Sequence, residues 1–253
     1  MPRTIYLALG DSVTAGHGAT HPSMSFVRYV SDYSHEKSLA GRTIVIAKNG
    51  WTTADVWTAS HMIHKSLWEQ TNVLTLMVGG NDLRRLLRRQ YLPVFGTPLS
   101  PRLVERTLHD FGYHFDLLCN SIRKWNIPHV IVATVYNPTP NFPLAVHAIE
   151  SLNGITRNIA SQCNFEIVDV YKGFLQHEVS YIDGYRMGRY EDLASPFRRP
   201  IHPNDAGHRQ IADLITQRLS LAIESQQKTR KKINGWQSKV KTGARSPVER
   251  QTT

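Results

Sequence analysis

A three-layer α/β/α sandwich on a five-stranded parallel sheet is the fold this sequence predicts, and three observations predict it. Five short apolar runs recur along the chain, each nearly continuous rather than alternating. Strands buried on both faces of a parallel sheet read this way. Stretches with helical spacing separate the runs, which is the strand–helix rhythm of α/β layering. The chain has 253 residues, and at this size about three quarters of the unfolded surface can be buried in one core.

In order, the first strand is expected over 4–9 and a helix over 23–36. The second strand follows at 43–47, with helical spacing over 53–68. The third occupies 73–78, after which residues 83–101 interrupt the rhythm with Arg84, Arg85, Arg88, Arg89, Tyr91 and Phe95. The long helix 101–125 opens on a proline, a residue suited to a first helical turn. The fourth strand is placed at 129–135, a helix at 143–164 and the fifth strand at 165–170. Residues 171–200 are irregular and aromatic, with Tyr171, Phe174, Tyr181, Tyr185, Tyr190 and Phe197. Long segments at the same ends of strands are where α/β proteins place binding surface. In the last helix Ile211, Leu214, Ile215, Leu219, Ala222 and Ile223 share one face. No internal repeat is present, so one domain is expected over 1–226, with a basic, disordered tail over 227–253.

The composition, 41% hydrophobic and 20% charged, is that of a globular protein rather than a disordered or fibrous one. The formal charge is +10. Eight of the basic residues, against the single acid Glu249, lie in 228–253 and carry +7 of it, leaving +3 for the rest. The charge therefore says little about the reaction. The tail is a candidate for weak contact with anionic surfaces through counterion release, and no specific nucleic acid is expected. Two cysteines, Cys119 and Cys163, cannot build a disulfide framework and read as core residues. The N-terminus lacks a signal-peptide layout, and no run of eighteen apolar residues occurs, so the expected location is cytoplasmic.

The polar residues just after the strands carry the chemistry. The first strand ends in Gly10-Asp11-Ser12, the second in Asn49-Gly50-Trp51 and the third in Gly79-Gly80-Asn81-Asp82. Before the last helix comes His202-Pro203-Asn204-Asp205-Ala206-Gly207-His208. In a flavodoxin-like strand order, 2-1-3-4-5, ligands bind outside the carboxyl ends at the switch point. Ser12, Gly50 and Asn81 then sit along one crevice. A serine hydroxyl in a Gly-flanked turn is a candidate nucleophile, and His202 supplies the base it needs near neutral pH. The N–H groups of Ser12 and Gly50 and the Asn81 amide are candidate oxyanion donors. Removing one such donor typically costs about 2.7–4 kcal/mol of transition-state stabilisation.

These four blocks resemble the SGNH hydrolases, also called GDSL esterases/lipases, over residues 4 to about 224. Ser12 stands in the GDS block, Gly50 in the second, Asn81 in GxND and His202 in I-H-P-N-x-x-G-H. The resemblance implies hydrolysis of a small-molecule carboxylic ester through an acyl-enzyme, with no metal and no cofactor. Ser12 is then nucleophile and oxyanion donor, Gly50 and Asn81 complete the oxyanion hole, and His202 is the base. Asp11 and Asp82 read as structural, accepting hydrogen bonds that hold their turns. The family usually has an Asp three residues before the histidine, where this chain has Arg199. Three alternatives follow. A displaced carboxylate, Asp192, Glu191 or Asp205, takes the role. A backbone carbonyl holds Nδ1–H, leaving a Ser–His dyad. Or the protein is a weak or inactive member of the fold that binds a ligand without cleaving it.

Three further features receive structural readings. His61 and His64, three apart on a predicted helix, lack a third ligand for a metal. The run from Gly10 to Gly18 lacks the Gly-Lys-Ser/Thr ending of a phosphate loop. The arginines after Asn81 alternate with leucines as in a short amphipathic helix, the sharper reading being a rim that prefers anionic substrates.

Overall fold

In the computed structural model, residues 3–90, 100–194 and 199–243 are described. The first half of the chain runs β1 (Ile5–Gly10), α1 (Phe26–Glu36), β2 (Arg42–Ala47), α2 (Thr53–His61), α3 (Lys65–Gln70), β3 (Thr71–Met77) and α4 (Gly80–Gln90). The second half runs α5 (Pro101–Arg123), β4 (His129–Ala133), α6 (Pro143–Gln162), β5 (Glu166–Val168), the short helices α7 (Val170–Phe174), α8 (Glu178–Tyr181) and α9 (Tyr190–Ala194), then α10 (Asp205–Gly243). The five strands form one sheet in the order β2-β1-β3-β4-β5, and every pairing is parallel. The expected fold and strand order are both observed.

Side-chain alternation explains why the strands read as unbroken apolar runs. Leu7 and Leu9 of β1 join a core with Leu74, Leu76, Val130 and Val132, packed under α2, α5 and α6. Tyr6 and Ala8, pointing the other way, join a second core with Ile131 and Ala133 under α1 and α10. Both faces are covered, so neither can be polar. Cys119 and Cys163 are free and buried within the first core, as expected.

Several elements depart from expectation. The helix expected over 53–68 is two, because the chain turns at Met62–His64 and the His64 ring caps α3 by accepting from Ser66 N–H at 3.3 Å. His61, at the end of α2, instead lies with Nδ1 2.8 Å from Trp57 O, so the two histidines do not share a helix face. The segment after β3 is helical from Gly80, with Leu83 and Leu86 buried, in agreement with the amphipathic reading. The backbone of α10 is helical across Gln226 and on to Gly243, where an unstructured tail was expected. Residues 227–242 are rich in Lys, Arg and Gln, good helix formers, and one interior glycine costs only about 1 kcal/mol. Tyr91, Phe95, Phe197, residues 244–253 and the side chains of Arg88 and Arg89 lie outside the described residues. Among the described residues, no helix is long and apolar enough to cross a membrane.

Candidate active site

The turn after β1 is built around Asp11 and two glycines. Asp11 Oδ1 accepts from Val13 N–H at 3.0 Å, closing the turn that carries Ser12. Gly10 must lack a side chain, since a Cβ there would run into Thr14 Oγ1. Gly18, at φ +93°, lies against His202 Cβ and the Pro203 carbonyl, so no larger residue lets the two segments meet so closely.

The His202 segment is pinned by its backbone. Tyr136 Oη donates to Ile201 O at 2.7 Å, Asp183 N–H donates to His202 O at 2.9 Å, and Ile182 bridges to Pro203. Its ring reaches Ser12, with Nε2 3.0 Å from Oγ. In the Nδ1–H tautomer the hydroxyl donates to Nε2, the arrangement in which a serine proton can be withdrawn as Oγ attacks an electrophilic carbon. Burial, reinforced by the nearby charges of His17, Arg84 and His208, depresses the His202 pKa to about 4. The imidazole is therefore neutral at ordinary pH.

Two of the three candidate carboxylates are occupied elsewhere. Asp192 Oδ2 accepts from Met187 and Arg189 N–H, and Asp205 accepts from the Thr20 backbone and hydroxyl. Glu191 is exposed on α9. Among the described residues, Ser12 is the sole hydrogen-bond partner of the His202 ring. The His17 ring faces it instead, with centroids 5.5 Å apart and planes tilted by 41°.

Asn81, at the start of α4, is buried beside Ser12. Its Nδ2 donates to Trp51 O at 2.9 Å and to Asp11 Oδ2 at 3.3 Å. Both amide hydrogens are thus engaged, and the longer bond is the one available for exchange. Burial raises the Asp11 pKa to about 7, which makes that carboxylate a weak competitor for the amide near neutral pH. Asp82 holds the start of α2 by accepting from the Thr53 backbone and hydroxyl, and burial raises its pKa to about 6. Both aspartates hold turns, as expected.

Ser12, Asn81 and His202 line one cavity of about 110 Å³, whose other walls are largely apolar: Leu83, Leu86, Val104, Leu144, Ala148 and Ile149 among them. Gly50 is not on that wall. It sits at φ +81° one residue before Trp51, and Arg85 Nη2 donates to its carbonyl at 3.2 Å. Among the described residues, no cluster of three or more metal-ligating side chains occurs.

Sequence reasoning missed His17, Tyr136 and the buried His208. Phe26 N–H donates to His208 Nδ1 at 3.3 Å, so its Nε2–H is the donor to His17 O at 3.0 Å. His208 thereby ties the Ser12 turn to α10. Its position within the last sequence block was a signal, though nothing in that block names its partners.

A sequence model of the GDSL-like lipase/acylhydrolase family matches residues 8–210, most of the chain. The chain belongs to this family. No curated protein sequence matches it. Among solved structures, the family fold here is similar to a lipase from a goat rumen metagenome, 21% identical with a TM-score of 0.65, covering 87% of this chain and 97% of that one. It is similar to phospholipase A1 from Streptomyces albidoflavus NA297, 18% identical with a TM-score of 0.62, covering 85% and 99%. It is also similar to an acetylxylan esterase from Geobacillus stearothermophilus, 18% identical with a TM-score of 0.58, covering 86% and 94%. At these identities the likeness is one of fold.

Proposed function

We propose that this GDSL-like family member hydrolyses carboxylic esters, with Ser12 as nucleophile and His202 as general base in a Ser–His dyad. The observation that carries the reading is the 3.0 Å contact between Ser12 Oγ and His202 Nε2 in a largely apolar cavity. Ser12 Oγ attacks the acyl carbon while its proton passes to Nε2. The tetrahedral oxyanion is met by Ser12 N–H and by the Asn81 amide after it releases Asp11. Nε2–H then returns its proton to the leaving alkoxide, and water repeats the sequence on the acyl-enzyme. The names of the similar structures, a lipase, a phospholipase and an acetylxylan esterase, support ester cleavage as the reaction class. With Asp192 and Asp205 engaged elsewhere and Glu191 exposed, a dyad is favoured over a displaced triad.

The apolar cavity accommodates an acyl chain longer than acetyl. Each buried methylene contributes about 0.8 kcal/mol, roughly fourfold in kcat/KM when fully realised. Across p-nitrophenyl acetate, butyrate and hexanoate, kcat/KM is expected to rise by about tenfold or more overall. A flat or falling series overturns the acyl-pocket assignment, and no hydrolysis of any member overturns the ester reading.

The pH profile follows from His202. Because its pKa is lowered, the base is competent wherever the ring is neutral. The acid limb of kcat/KM on a neutral ester is expected near pH 4 rather than the ordinary 6.5, with a roughly tenfold fall per unit below it. The same depression contributes stability that is present above pH 6.5 and lost as pH falls toward 4. Initial rates between pH 3 and 8, bracketed by unfolding midpoints, check both. An acid limb at pH 6 to 7 in folded protein contradicts the environment described for His202.

A further inference from the structure

We infer that the site selects esters carrying an anionic group close to the scissile bond, and that Arg84 is the residue that holds it. The inference rests on the ester-hydrolase reading and names its substrate class. Arg84 shares the cavity wall with Ser12, Asn81 and His202. It stands one turn after Asn81 on α4, so the two side chains share a helix face and the same cavity wall. In keeping with that place, its charge is felt at both Asp11 and His202.

The surroundings of His202 give that position its meaning. Burial opposes protonation of His202 most, and His17 from the Ser12 turn, Arg84 from α4 and His208 from α10 add to it, Arg84 being the permanent charge of the three. Arg199 occupies the turn leading into His202, its carbonyl accepting from Ile201 N–H at 2.8 Å. Asp11 is the acid beside Ser12, and its burial keeps it partly protonated near neutral pH. A dyad in this field forms imidazolium at a penalty, because among the described residues no carboxylate is hydrogen-bonded to the ring. An anion on the substrate, paired with Arg84, supplies the missing negative charge when the substrate binds. It then stabilises the transition state as well as the bound ground state, so the preference appears in kcat in addition to KM.

Carboxylate and phosphate share this chemistry, and matched substrates separate them. Butyryl glycerol 3-phosphate is compared with monobutyrin, and O-butyryl lactate with ethyl butyrate, by chromatography of released butyrate. At least one anionic ester is expected to exceed its neutral partner by about ten- to a hundredfold in kcat/KM, the worth of a hydrogen-bonded charge. Arg84→Gln should collapse that ratio toward one, Arg84→Lys should retain part of it, and 0.5 M salt should reduce it. With the anionic ester saturating, the acid limb of kcat should move to higher pH than with the neutral ester, a shift that a purely structural role for Arg84 does not produce.

A ratio near one in the unaltered protein, or a ratio untouched in a folded Arg84→Gln variant, overturns the inference. Binding of the same ester pairs to the Ser12→Ala protein by calorimetry reads the preference without turnover. Anion-selective binding in the absence of any hydrolysis therefore defeats the ester-hydrolase reading and leaves the Arg84 assignment standing. Equal binding of both members of each pair defeats the assignment.

Discussion

Ser12→Ala is expected to lower kcat on p-nitrophenyl hexanoate by about 10⁴- to 10⁶-fold, to the level that binding and oxyanion donors sustain alone. The hydroxyl is the only atom removed, and the turn that carries it is closed by Asp11 and Val13 rather than by Ser12 Oγ. The variant should fold with an unchanged unfolding midpoint. Steady-state hydrolysis by the purified variant checks the expectation. Residual activity within tenfold of the unaltered protein would mean that another group attacks the ester.

His202→Gln is expected to cost a comparable factor, and the double variant with Ser12→Ala no more than either single change. Residues that act as one unit lose their function together, so their effects do not add. The glutamine keeps polar contact with the cavity while removing the base hydrogen-bonded to Ser12. Asp192→Asn, Glu191→Gln and Asp205→Asn should each change kcat by less than about threefold if the dyad reading holds. Asp192→Asn tests this most sharply, because Asp192 is buried and holds the loop at Met187 and Arg189. A loss of about 10³–10⁴ in one of the three would identify a third member and end the dyad reading.

Strand positions were legible because strands buried on both faces leave continuous apolar runs, and β1, β3 and β4 have them. The break between α2 and α3 was not, because it depends on the His64 ring taking over as a cap, which competes with a helix that propensity alone would continue. The site's chemical core was legible through its blocks: Ser12 and His202 are 190 positions apart, yet each stands in a recognisable setting. Its environment was hidden. Arg199 marked the absence of the usual acid, but what replaces the acid depends on packing between distant segments. His17 faces His202 only because Gly18 lets two loops touch, and Asn81 is held by Trp51 and Asp11 from two other strand ends. Such contacts depend on how three loops meet above the sheet, and no local pattern records them.

In the proposed dyad, Ser12 is a nucleophile activated by His202 in the folded protein. Labelling with a fluorophosphonate at neutral pH, followed by peptide mapping, tests it most directly. A near-stoichiometric adduct on Ser12 is predicted, absent after heat unfolding and strongly slowed in His202→Gln. Folded protein with Ser12 unmodified, or with the adduct on a different residue, would contradict the account.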